Sequence, residues 1–129
     1  MAQDKFKNES LIRYKKGDSD FRPWGKWQVD EVGQNYIKKT LIITPGQQLS
    51  LQSHKFRSEH WEVEEGIAEV ELDGKSYTLT AGQSIDIPVA CVHRLRNSGT
   101  VELKVLETQY GEILDENDII RYEDIYGRK

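Results

Sequence analysis

The sequence predicts an all-β domain, an antiparallel sandwich or barrel. From Trp24 onward, short runs rich in Val, Ile, Tyr and Trp recur, each closed by a turn signal. The signals are Val32-Gly33-Gln34-Asn35, Thr44-Pro45-Gly46, Glu65-Gly66, Asp73-Gly74, Ala81-Gly82 and Asn97-Ser98-Gly99. Their spacing is that of strands joined by tight loops. Asp73-Gly74, set between the apolar-alternating runs 68–72 and 76–79, is the strongest of them, a two-residue hairpin turn.

Taken in order, residues 1–20 are charged, with one short apolar group at Leu11-Ile12. They are expected to form a mobile or loosely docked arm, and residues 21–129 a single barrel domain. Arg22-Pro23-Trp24-Gly25 reads as a structural turn with an anchoring tryptophan. In the run 39–43, Lys39 shares a face with Leu41 and Ile43, because alternate residues of a strand point the same way. A lysine facing inward has a lowered pKa and can move protons; the alternative is a lysine snorkelling at the strand end. Gln52 and His54 share a face by the same rule. With Glu59 inward, Trp61 and Val63 follow it, and His60, Glu62 and Glu64 face away. His60 then belongs to an outer layer or an interface. Pro88 is expected to mark a strand start, with His93 on the strand after it. Arg94 and Arg96 fall outside, and Cys91, in phase with His93, lines the cavity or is simply buried. The tail 114–121 fits either a capped helical turn or an edge segment.

Composition narrows the function classes. A chain of 129 residues has room for one compact core and not for a second domain. Its net charge of -4 argues against general nucleic-acid affinity. There is no apolar run long enough to span a membrane. The N-terminal residues lack the apolar region of a signal peptide, so the Asn8-Glu9-Ser10 sequon carries no meaning, and the lone Cys91 has no partner. These features point to a reducing cytoplasm.

The chemistry is concentrated in two segments. Gly46, Gln52, His54, Glu59 and Gly66 are spaced as G-x5-Q-x-H-x4-E-x6-G, and Gly82, Pro88, Ala90, His93 and Asn97 as G-x5-P-x-A-x2-H-x3-N. All three histidines lie within them. Imidazole nitrogens and a carboxylate oxygen from different strands can converge inside a barrel on one divalent ion. His54, Glu59 and His93 are the strong candidate ligands. Gln52 is a weaker fourth, through its amide oxygen.

The two segments resemble the two motifs of the cupin superfamily, with Gln52 where a first histidine is expected and Ala90 in place of a glycine. That resemblance implies a double-stranded β-helix, a jelly-roll barrel. A narrower one covers nearly all of residues 22–128. Arg22-Pro23-Trp24-Gly25, Leu49-Ser50-Leu51-Gln52, Glu59-His60-Trp61, Asp118-Ile119-Ile120-Arg121 and Asp124-Ile125-Tyr126-Gly127-Arg128 are similar to the cupin domain of type II phosphomannose isomerases. Phe56 departs from that pattern. The pyrophosphorylase domain often fused to such cupins is missing, so guanylyl transfer is not implied. The resemblance implies a metal-dependent aldose–ketose isomerase for a sugar phosphate, mannose 6-phosphate and fructose 6-phosphate first. It also implies one divalent ion (Zn, Mn, Co, Ni or Fe), and Arg57, Arg121 and Arg128 as phosphate contacts. Lys39, Arg57 and Glu59 are the expected catalytic side chains. The alternative is a non-catalytic metal- and sugar-binding module; Gln52 and the arginines argue against an iron dioxygenase. The Trp-rich start and the arm are expected to meet a second copy of the chain in a homodimer.

Overall fold

The structure, a computed structural model, describes residues 11–128. The first ten residues of the expected arm, with the Asn8 sequon, lie outside the described residues. Thirteen strands follow in order. They are β1 (Leu11–Ile12), β2 (Ser19–Arg22), β3 (Gly25–Gly33), β4 (Tyr36–Ile43), β5 (Leu51–Ser53), β6 (Ser58–Glu65) and β7 (Ala68–Leu72). Then come β8 (Lys75–Leu79), β9 (Ser84–Ile87), β10 (His93–Asn97), β11 (Leu103–Tyr110), β12 (Ile113–Leu114) and β13 (Ile120–Glu123). A six-stranded sheet runs β2-β3-β4-β11-β6-β9, and a five-stranded sheet runs β13-β5-β10-β7-β8. All pairs in these two sheets are antiparallel, and a short parallel pair, β1 with β12, stands apart. The described residues contain no helix long and apolar enough to cross a membrane.

Turn chemistry sets the register. Asp73 and Gly74 both adopt positive φ, 52° and 82°, and close the β7–β8 hairpin with Leu72 opposite Lys75. Two consecutive left-handed residues match the twist of the strands they join. Arg22 and Gly25 pair across the Pro23-Trp24 turn. Gly25 has φ 150°, and a Cβ there would sit 1.8 Å from the Ile42 carbonyl oxygen, so no larger residue fits.

Period-two alternation then fills the barrel. Val29, Ile37, Leu41, Ile43, Val63, Val70, Leu95, Leu103 and Val105 are buried in one core. Trp24 and Trp27 are buried too. The apolar start expected to meet a partner is therefore spent on the chain's own core, and what the β2 edge leaves outside is Phe21, 81% exposed.

Two expectations change and one open alternative is resolved. Pro88 follows the end of β9 and does not begin a strand: its missing N–H ends the pairing of β9 with β6, which reaches Ile87. The tail is an edge segment, with β12 on β1 and β13 on β5. The described part of the expected arm is packed, since Tyr14 is buried in the core and β2 crosses the boundary placed at residue 20.

Asn97 locks the corner between the sheets. Its Nδ2 donates to the carbonyls of Ile43 and Val101, both at 2.8 Å, and its Oδ1 accepts from the Gly99 N–H at 2.9 Å. The side chain is fully buried. Asn97→Ala strands these groups and is expected to cost about 2–4 kcal/mol, read as a lowered urea midpoint at unchanged slope.

Candidate metal centre

Register carries polar side chains into one end of the barrel. Across the six-stranded sheet Leu41, Val105 and Val63 form an apolar row. The next row is Lys39, Glu107 and Trp61, and the one beyond it Ile37, Gln109, Glu59 and Ile87. Across the other sheet Gln52 lies between His93 and Arg121. The inward positions thus change from aliphatic to ionisable along the barrel axis, where they line a cleft.

His54, Glu59 and His93 place one ligand atom each within 4.8 Å of one another, and all three are buried. The His54 Nδ1 lies 2.7 Å from the Asp118 carbonyl oxygen, and the His93 Nδ1 lies 2.9 Å from that of Cys91. A carbonyl only accepts, so both Nδ1 atoms carry the proton and both Nε2 atoms face inward. They lie 3.3 and 3.7 Å from the two oxygens of Glu59. Burial, followed by the charges of Arg57 and His93, pushes the His54 pKa down to about 3, so its ring is neutral. Two imidazoles oriented by backbone carbonyls, facing a carboxylate, form a donor set suited to a borderline divalent ion. Gln52 lines the same cleft and spends its Nε2 on the Ser50 carbonyl, leaving Oε1 as its donor to an ion.

Glu59 is held from several sides. Arg57 Nε donates to its Oε2 at 2.8 Å and Trp61 Nε1 to its Oε1 at 3.1 Å. Burial is the largest influence and opposes its charge, but the Arg57 guanidinium, His93 and the hydrogen bonds around the carboxylate together outweigh burial and keep the carboxyl below the usual range. The same Trp61 N–H reaches Glu107 at 2.9 Å, and Gln109 donates to the other Glu107 oxygen. Burial, then the charge of Glu59, raises the Glu107 pKa. The site thus pushes its two neighbouring carboxyl groups in opposite directions.

The other expected residues fall as follows. Arg57 is buried, and besides Glu59 it reaches His54 Nε2 at 3.2 Å and the Asp115 carbonyl at 3.4 Å. With Nε and both terminal nitrogens engaged inside the barrel, it serves the ligand cluster, and the phosphate contact expected of it is not what this geometry supports. Lys39 is buried and lines the cleft. Arg121 and Arg128 line it as well; Arg121 Nε is buried without a hydrogen bond, and Arg128 is held by Asp124 at 2.7 and 3.1 Å. Arg22, read from sequence as part of a turn, also lines the cleft and pairs with Asp20 and Glu116. Cys91 is half-buried and is not among the cleft residues. His60 faces outward onto Asp86.

Sequence reasoning missed Glu107, Gln109, Tyr14 and Glu116. Leu103, Val105, Glu107 and Gln109 alternate on one face, so two polar residues continuing an apolar face were a legible signal. Nothing in the charged segment around Tyr14 marked it, nor did anything mark Glu116 within its acidic loop.

Comparisons with known proteins bear on the family and the fold. The profile of the family described as mannose-6-phosphate isomerase C-terminal matches residues 9–124. The chain is 47% identical over 108 residues to the alginate biosynthesis protein AlgA of Pseudomonas putida, covering 84% of this chain and 22% of that protein. It is 41% identical over 108 residues to the mannose-1-phosphate guanylyltransferase ManC of Salmonella typhimurium, with the same coverages, 84% and 22%. The chain thus spans about a fifth of the length of these relatives. Among solved structures it is similar to the Schizosaccharomyces pombe Cnp3 cupin domain, with a TM-score of 0.67 at 11% identity, over 82% of this chain and 84% of that one.

Proposed function

The chain belongs to the mannose-6-phosphate isomerase C-terminal family and has the cupin double-stranded β-helix fold, and from that premise we propose that it interconverts an aldose phosphate and a ketose phosphate, mannose 6-phosphate and fructose 6-phosphate first. One observation carries the reading: the His54, Glu59 and His93 ligand atoms converge in a cleft that also exposes arginine side chains to a second, anionic part of a ligand. The guanylyltransferase named among the relatives concerns proteins of which this chain spans a fifth, and it is not carried over.

In this reading His54, Glu59 and His93, with Gln52, hold one divalent ion of the Zn, Mn, Co, Ni or Fe group. Such an ion would supply Lewis acidity for charge that develops on the substrate. Arg57 and Trp61 keep both Glu59 oxygens oriented, and Glu107 holds Trp61 in turn. Arg121, with its unspent Nε, and Arg128 face the phosphate, for which arginine forks are suited. Lys39 moves the proton between C1 and C2. Burial disfavours its ammonium form, against the pull of Glu116 and Glu107, and so lowers its pKa toward the range a proton carrier needs. A second copy of the chain is the proposed partner, through the β2 edge that exposes Phe21.

The test is conversion. Metal-loaded protein is expected to equilibrate mannose 6-phosphate with fructose 6-phosphate, and a chelator to stop it. Binding of metal and sugar phosphate without conversion would support the binding-module reading instead.

A further inference from the structure

Lys39 is 4% exposed, and the acid paired with it among the described residues, Glu116, is 40% exposed at 3.5 Å. A buried ammonium needs more than one long contact to a solvated carboxylate. The remainder comes from the N-terminal segment. Tyr14 Oη accepts a hydrogen bond from Lys39 Nζ at 3.1 Å. The Nζ also lies 4.3 Å from the centroid of the Tyr14 ring and 4.4 Å from that of Trp27. Those two rings meet edge-to-face at 5.9 Å, which fixes the angle between them.

Tyr14 is held in place by backbone. The Leu11 N–H donates to the Glu112 carbonyl at 2.6 Å and the Arg13 N–H to that of Leu114 at 2.8 Å. Burial, with Glu116 next, raises the Tyr14 pKa far above its usual value, so the phenol keeps its proton and offers its oxygen as an uncharged acceptor.

We propose that Tyr14, carried into the barrel by the β1–β12 pair, is a positioning residue that holds Lys39 Nζ toward the cleft. This rests on the isomerase reading of Lys39. Lys39 Nζ has three donors; one is spent on Tyr14, one faces Glu116, and the third is left for the cleft. Without the Tyr14 hydroxyl the amine is free to turn toward Glu116, which also draws Arg22 at 3.7 Å. The charged groups bearing on Lys39 are Glu116 from the loop before β13, Glu107 from β11, and Arg57 and Glu59 at the start of β6.

The test is Tyr14→Phe, which keeps the ring and both ring contacts. The turnover number is expected to fall about tenfold or more with KM changed less than about twofold, at an unchanged melting temperature. A hydrogen bond to the ammonium favours the charged form, so its loss lowers the Lys39 pKa. The acidic limb of the pH–rate profile should therefore move to lower pH. The same downward shift is expected in the Lys39 amine resonance, followed by NMR in the metal-free protein without substrate. Tyr14→Leu, which also removes the ring, should lose further activity. Unchanged kcat and an unchanged Lys39 titration in Tyr14→Phe would overturn the proposal, as would a loss explained wholly by a lower melting temperature. If the wild-type protein turns over no sugar phosphate, the isomerase reading fails, while the Lys39 resonance still decides whether Tyr14 holds the amine.

Discussion

His93→Ala is expected to empty the metal centre. The residue supplies an Nε2 whose ring is fixed by the Cys91 carbonyl, on β10, while Glu59 lies on β6 and His54 just after β5. Losing an outer partner of a ligand typically costs about 10–100-fold in metal affinity, and losing the ligand itself costs at least that. Metal content after dialysis should fall well below stoichiometric, and turnover should fall to background with it. Cys91, Leu72 and the β10 pairing remain, so the barrel should still form. Metal content unchanged by the substitution would remove the ligand assignment.

Arg57→Ala is expected to act on a different quantity. Arg57 is the guanidinium against buried Glu59, and its loss leaves that carboxylate without its nearest positive charge. Breaking one side of a buried pair costs about 3–5 kcal/mol. The loss should be largest in chelator and smaller with metal present, because the ion replaces the missing charge and stabilises the folded state by linkage. Arg57 also donates toward the His54 lone pair that an ion would use. The variant is therefore expected to keep its metal while it loses stability, the reverse of His93→Ala. Paired urea melts with and without metal separate the two. Equal stabilities of Arg57→Ala and wild type in chelator would contradict the role assigned here.

Much of this was legible because strand alternation is a local rule. Parity puts Glu59, Trp61 and Val63 on one face and Lys39 with Leu41 and Ile43, and the structure buries all of them. The hairpin at Asp73-Gly74 follows from the φ values that those residues tolerate. Parity does not say what an inward side chain meets. Arg57 shares its face with Glu59, yet that it would bond Glu59 and not a ligand depends on how close β6 brings the loop carrying Asp115. Tyr14 reaches the core only because β1 finds a parallel partner a hundred residues away, a pairing with no local signature. Pro88 was read as a strand start because proline is tolerated there, and it is tolerated equally just past a strand end.

The central claim is a proton moved between adjacent carbons in a metal-loaded cleft. Its most direct measurement is proton NMR of mannose 6-phosphate and fructose 6-phosphate incubated with metal-loaded protein in heavy water. The account predicts interconversion of the two sugars, with deuterium entering at C2 of mannose 6-phosphate or C1 of fructose 6-phosphate whenever Lys39 exchanges with solvent, and neither change in chelator or with His93→Ala. Recovery of both sugars unconverted and without deuterium, from protein shown to hold its ion, would contradict it.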